Sequence, residues 1–218
     1  PYNEVSSILR TDDGNIWLSM FCGGVFKVEK SDPGFSIDAL QNIRKSLKTN
    51  SVRSIFPMPD GRLWLGIIGF GMVLYDPFDG SFLSYEKYPA FRDFPYTSSV
   101  DVISRRRSTS EICFGTYSQG LWLLDPSSRS GARRVISEEY PDFSHLGVTA
   151  IAEDNASNLW IGTRKGVFVM TPGNKVFSIA DYLPDAALDP LSDVIVTDLK
   201  SARDGSVWIA TNYNGVYR

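Results

Sequence analysis

One pattern recurs five times along this 218-residue chain: Val, two variable positions, Ile or Leu, a turn, a Trp with a small residue two places on, and a Gly before an apolar run. The copies begin at Val5, Val52, Val100, Val148 and Val196, and their register position falls at Trp17, Trp64, Cys113, Trp160 and Trp208. Successive register positions are 47, 49, 47 and 48 residues apart. A period in that range, filled with short apolar runs and turn residues, is the signature of propeller blades. The fold class that follows is all-β: a β-propeller of about five blades of four antiparallel strands, the last one incomplete at Arg218. Blade cores fall near residues 5–37, 52–85, 100–137, 148–179 and 196–218. An open last blade leaves an unpaired edge, and repeat arrays need several neighbours and capped ends. The chain is therefore expected to be part of a larger array.

The second copy shows how one unit is built. Val52 to Phe56 reads as a strand closed by Pro57, which cannot donate to a ladder. Asp60 and Gly61 predict a type I′ hairpin, with positive φ at both central residues. Further strands are expected at 62–66, 72–75 and 81–85, separated by turns at Gly69–Gly71 and Asp76–Gly80. The fourth copy has Ala156 and Ser157 where Asp-Gly would stand. The third departs most, with Cys113 at the Trp position and ten residues from Ile103 to Cys113 against nine elsewhere. Its run Arg105–Ser110 absorbs the extra residue, and the three arginines are read as a solvated hairpin tip.

Each register Trp is expected to wedge between neighbouring blades, where burying an indole contributes a few kcal/mol. The small residues Ser19, Gly66, Gly115, Gly162 and Ala210 leave room where blades approach closely. Connections over 30–50, 86–99, 138–147 and 180–195 carry the length variation, with a short helix expected at Gln41–Lys48. They and the turns between second and third strands should open at one end of the blades, where loops carry function on a rigid scaffold.

Bulk properties exclude several classes. With 22 basic against 25 acidic residues the net charge is −3, so no nucleic-acid surface is expected. No apolar run approaches the ~18 residues of a membrane span. The two cysteines, Cys22 and Cys113, stand at non-equivalent repeat positions, and Cys113 reads as a small buried apolar residue. His145 is the only histidine, which excludes a metal site with several imidazoles. No calcium-loop run of alternating Asp occurs, and the glycines around Phe70 lie in a β-turn, not at the start of a helix. No catalytic residue, metal or cofactor is assigned. A lyase or hydrolase using His145 as base is the enzymatic alternative, and a protein-interaction scaffold is another.

The spelling of the second copy from Thr49 to Pro77, and of Asn158–Phe168 in the fourth, resembles the two-component regulator propeller repeat. The resemblance covers essentially the whole chain. It implies a periplasmic, non-enzymatic sensor region of a hybrid histidine kinase, homodimeric in the full-length receptor. It also implies oligosaccharide ligands, with the membrane span, kinase and DNA-binding output outside these residues. The third copy, without its Trp, and Ser19–Cys22 in the first, where Gly-Thr would stand, depart from the pattern.

Candidate ligand-binding residues come from the turns between second and third strands: Phe21; Phe70; Tyr117 and Gln119; Arg164 and Lys165; Asn212, Tyr213 and Asn214. Aromatic faces beside amides and cations suit a sugar oligomer or a uronic acid, through stacking and bidentate hydrogen bonds.

Overall fold

The computed structural model describes residues 4–28, 35–36, 51–95, 99–185 and 190–218. The short helix expected at Gln41–Lys48 lies outside the described residues. The strands form five small antiparallel sheets in sequence order, the blade arrangement of a propeller. The first comprises β1 (Glu4–Arg10), β2 (Ile16–Phe21), β3 (Gly24–Val28) and β4 (Phe35–Ser36). The second comprises β5 (Val52–Pro57), β6 (Leu63–Ile67), β7 (Gly71–Tyr75) and β8 (Phe82–Ser84). The third holds β9 (Val100–Arg105), β10 (Ile112–Thr116), β11 (Leu121–Leu124) and β12 (Arg133–Arg134). The fourth holds β13 (Val148–Glu153), β14 (Leu159–Thr163), β15 (Gly166–Met170) and β16 (Val176–Ser178), followed by the one-turn helix α1 (Ile179–Tyr182). The fifth has three strands, β17 (Val196–Ser201), β18 (Val207–Thr211) and β19 (Val216–Tyr217). The chain divides into two compact units, Pro1–Ile103 and Ser104–Arg218, the division falling inside β9.

In the first unit the space between blades one and two is filled by Trp17, Val25, Val52, Ile55, Leu63, Leu65, Ile67, Val73 and Tyr75. Trp17 meets Tyr75 edge-on at 6.5 Å. In the second unit Ala150, Trp160, Val169, Val196, Leu199 and Ile209 belong to the corresponding core between blades four and five. Trp17, Trp64 and Trp160 are at most 8% exposed, whereas Trp208 of the last blade is 44% exposed. The wedge expected at each register Trp is made by Trp17 and Trp160, which belong to these cores, whereas Trp64 packs edge-on against Tyr88 and Phe91 of the connection after its blade. The glycines two places on are required by packing. A Cβ on Gly66 would stand 2.2 Å from the Val100 carbonyl oxygen, and one on Gly162 would stand 2.5 Å from Val196 Cγ1. In the first blade Ser19 takes this place, fully buried, with its hydroxyl 2.8 Å from Ser6 Oγ.

The innermost strands share a second device. The ladder slips between Val5 and Ser7, Val52 and Ser54, Val148 and Ala150, and Val196 and Asp198. Each slip leaves one residue unpaired, a β-bulge that bends and twists the strand. Hydroxyls at or beside the bulge reach the next blade: Ser6 donates to the Val52 carbonyl at 2.5 Å, Ser54 to Val100 at 3.3 Å and Thr149 to Val196 at 2.6 Å.

The first hairpin of blade two differs from the expected type I′ turn. In blade two Gly61 N donates to Met58 O and Met58 N to Arg62 O, and only Gly61 has positive φ, at 87°. This is a type I turn closed by a residue in the left-handed region, a three-residue loop. Asp60 stays right-handed because its carboxylate accepts the Arg62 backbone N–H at 3.1 Å. Ser157 holds the left-handed position in blade four, with φ at 64°.

Blade three corrects a second expectation. The arginine run is not a uniformly solvated tip, because Arg106 is 2% exposed. Its Nη1 pairs with Glu111 at 3.1 Å and its Nη2 reaches the Ser157 carbonyl at 3.4 Å. Cys113, fully buried, is too small to fill an indole's space, and burial pushes its thiol up against the opposing effect of the Arg106 charge. Arg107 remains exposed, but its backbone N–H and the Ser108 hydroxyl donate to the Glu153 carboxylate. A charged strap thus joins the third and fourth blades where the other hairpins carry a short turn.

Candidate functional site

The turns between second and third strands lie at the end of each blade where the innermost strand begins. Register pairs Glu4 with Phe21, Val52 with Ile67, Val148 with Thr163 and Val196 with Thr211. Three of these turns, in blades two, four and five, are also bonded to the incoming connection: Ile68 N to Ser51 O, Arg164 N to Gly147 O and Asn212 N to Ile195 O. A second set runs forward to the next connection: Gly69 N to Ser99 Oγ at 2.6 Å, Gly120 N to Leu146 O at 3.1 Å and Gly166 N to Val194 O at 2.7 Å.

A threonine three places after the register position locks the turn in the last three blades. Thr116 Oγ1 donates to Gly120 O at 2.8 Å, Thr163 Oγ1 to Gly166 O at 2.7 Å and Thr211 Oγ1 to Gly215 O at 2.8 Å. Thr116 and Thr163 also accept the backbone N–H of Gln119 and Lys165. Met20 and Ile67 stand there in the first two blades.

In the second unit the candidates follow one another along this end. Tyr117 is 53% exposed, with the Arg164 guanidinium 4.4 Å from its ring centroid. The contact depends on Gly147, whose added Cβ would strike the Tyr117 carbonyl oxygen at 2.4 Å and Arg164 Cδ at 2.8 Å. Lys165 is exposed beside it. Gln119 contributes its backbone carbonyl to a brace, accepting Trp122 Nε1 at 3.0 Å and Arg134 Nε at 3.2 Å. Asn212, Tyr213 and Asn214 are all exposed, Tyr213 being 96% exposed with φ at 73°. The connection through Leu191–Ile195 links their turn to that of Lys165.

In the first unit Phe70 is half-buried and leans on the core between blades one and two. Phe21 is half-buried, with the Arg53 guanidinium 5.7 Å from its ring. Arg53 is the bulged residue of β5, a position the sequence reading passed over. The available signal was a cation at a place where the repeat otherwise has Ser6, Asp101, Thr149 and Thr197.

His145 is exposed at the end of a 3-10 turn (Pro141–His145), its Nδ1 3.2 Å from Arg134 Nη2. Among the described residues no three His, Cys, Asp or Glu side chains gather as a metal group. No helix of the described residues is long and apolar enough to cross a membrane.

At the opposite end of blades three and four, Arg107, Ser108, Glu153, Asp154, Asn155 and Ser157 line a cleft of about 260 Å³. Burial pushes the Asp154 carboxyl up, but hydrogen bonds from Trp160 Nε1, Asn158 and Ala156 outweigh it and hold the group below its usual range. Asp13, Asp60 and Asp204 of the other hairpins are lowered too, each chiefly by a side-chain hydrogen bond, from Thr11, Arg62 and Ser206 respectively.

Five small antiparallel sheets with wedging indoles define the chain as a β-propeller array. Residues 142–165, which run from the connection before blade four through its first two strands, match the two component regulator propeller model. Over 175 residues the chain is 26% identical to histidine kinase P4 of Formosa agariphila, a match covering 79% of this chain and 12% of that protein. It superposes on the extracellular domain of BT4673 of B. thetaiotaomicron, there titled a one component system, with a TM-score of 0.74 and 18% identity over 98% of this chain and 26% of that one. BT3049 of the same organism, titled a hybrid two component system, gives 0.67 and 20% identity, covering all of this chain and 28% of that one. The structural likenesses establish the propeller fold, and the chain spans about a quarter of those solved domains.

Proposed function

We propose that this chain is a non-enzymatic portion of the periplasmic sensor region of a hybrid two-component regulator. It detects oligosaccharides and passes the signal to a downstream histidine kinase, the full-length receptor acting as a homodimer. The observation carrying this reading is the alignment of Tyr117, Arg164, Lys165 and Asn212–Asn214 along one blade end, on turns clamped by threonines. Side chains held on such a scaffold meet a ligand with little ordering cost. The repeat match at 142–165 includes Arg164 and Lys165 and supports the assignment. A ligand signals only by favouring one receptor arrangement over another, so binding and dimer geometry are coupled.

Isothermal titration of the complete ectodomain against a panel of plant and host oligosaccharides tests the reading. Saturable binding weakened by Tyr117→Ala is expected. Silence of the folded protein across the panel removes oligosaccharide sensing.

A further inference from the structure

We infer that Phe21 and Arg53 form a subsite for an oxyanion carried on a saccharide. The inference rests on the reading of the chain as a saccharide sensor and specifies the ligand class. Arg53 is half-buried, and its Nε is buried without a hydrogen-bond partner. Among the described residues it has no carboxylate partner, and its one recorded contact is with the Phe21 ring at 5.7 Å. A buried donor without a partner is costly, and such orphaned groups in native structures call for an occupant.

The geometry says what the occupant is. A guanidinium set against an aromatic ring presents a planar fork of donors, which matches a carboxylate or sulfate through paired hydrogen bonds. Phe21, at the end of β2, supplies an apolar platform beside it of the kind on which a sugar face stacks. Arg53 is fixed by the backbone because it occupies the bulge of β5, between Val52 (fully buried) and Ser54 (5% exposed). Its side chain therefore leaves the strand where the ladder is broken, at the same blade end as the recognition turns. A neutral saccharide would leave the fork unmatched.

The test uses the full-length ectodomain and three probes of equal length: a tetragalacturonate, a sulfated galactotetraose and neutral galactotetraose. Tighter binding of at least one charged probe than of the neutral one is expected, by about tenfold or more. Arg53→Gln should abolish that preference, and Arg53→Lys should restore only part of it because the fork is lost. Phe21→Leu, which leaves Arg53 in place, should weaken all binding at the subsite, and unchanged melting temperatures show that the variants fold. Preference for the uronate or for the sulfate identifies which oxyanion is read. Equal affinity for charged and neutral probes, or an unchanged preference in Arg53→Gln, overturns the subsite and leaves saccharide sensing standing. No binding of any probe, while another neutral oligosaccharide binds, also overturns it; silence toward every saccharide removes the parent reading as well.

Discussion

Arg106 Nη1 lies 3.1 Å from Glu111 Oε2, an ion pair formed beside Cys113, which stands where the repeat otherwise has an indole. The Arg106 side chain is 1% exposed and Glu111 also receives Arg133 Nη2 at 3.0 Å, so the pair is shielded from solvent screening.

Glu111→Ala should destabilise the fold by roughly 3 kcal/mol, because a buried guanidinium loses its counter-charge. Arg106→Leu with Glu111→Gln should recover part of that loss, since apolar residues of similar volume often replace buried pairs at little cost. Urea denaturation of the three proteins measures both effects. A Glu111→Ala midpoint matching wild type would show that the pair does not hold the blade.

The two thiols should react differently. Burial pushes the Cys113 thiol up to about 12, whereas Cys22 is exposed. A thiolate-directed reagent near pH 8 should modify one thiol per native chain and two after unfolding. Modification of both in the folded protein would contradict the packing of blade three.

Two backbone substitutions should have opposite signs. Gly66→Ala drives a Cβ to 2.2 Å from the Val100 carbonyl oxygen, so a loss of about 2 kcal/mol or more is expected. Ser157→Gly relieves a left-handed residue at φ 64° and should add about 0.5–1 kcal/mol. Thermal unfolding of the pair tests the blade spacing and the turn assignment independently.

The hairpin carboxylates predict the acid limb of stability. Asp154 titrates below its unfolded value, so its contribution is complete above about pH 4 and is lost as pH falls through the folded pKa. Asp154→Asn should flatten stability against pH in that acid range and lower it above. An acid limb of unchanged slope in Asp154→Asn would assign the effect elsewhere.

The propeller class was legible because Trp, Gly and turn residues recur at one spacing, and that spacing reflects blade size. Turn type was not, because Asp-Gly suits both hairpin forms, and the Asp60 carboxylate bond to Arg62 N selects between them. Burial of Arg106 was hidden since charge in a hairpin ordinarily means solvent, and its partners Glu111 and the Ser157 carbonyl are brought to it only by the folded third and fourth blades. Arg53 escaped notice because the repeat leaves its position variable and the bulge that aims it is a property of two paired strands. The candidates Phe21, Tyr117 and Arg164 stood at recognisable turn positions, while Gln119 proved to act through its main chain.

Threonine hydroxyls close the loops at Gly120, Gly166 and Gly215 by gripping the main chain alone. The letters at each loop tip are thereby uncoupled from the mechanics beneath them. Such a rim can be rewritten for a new chemical cue without retuning the interior, so diversification among relatives need not trade against folding.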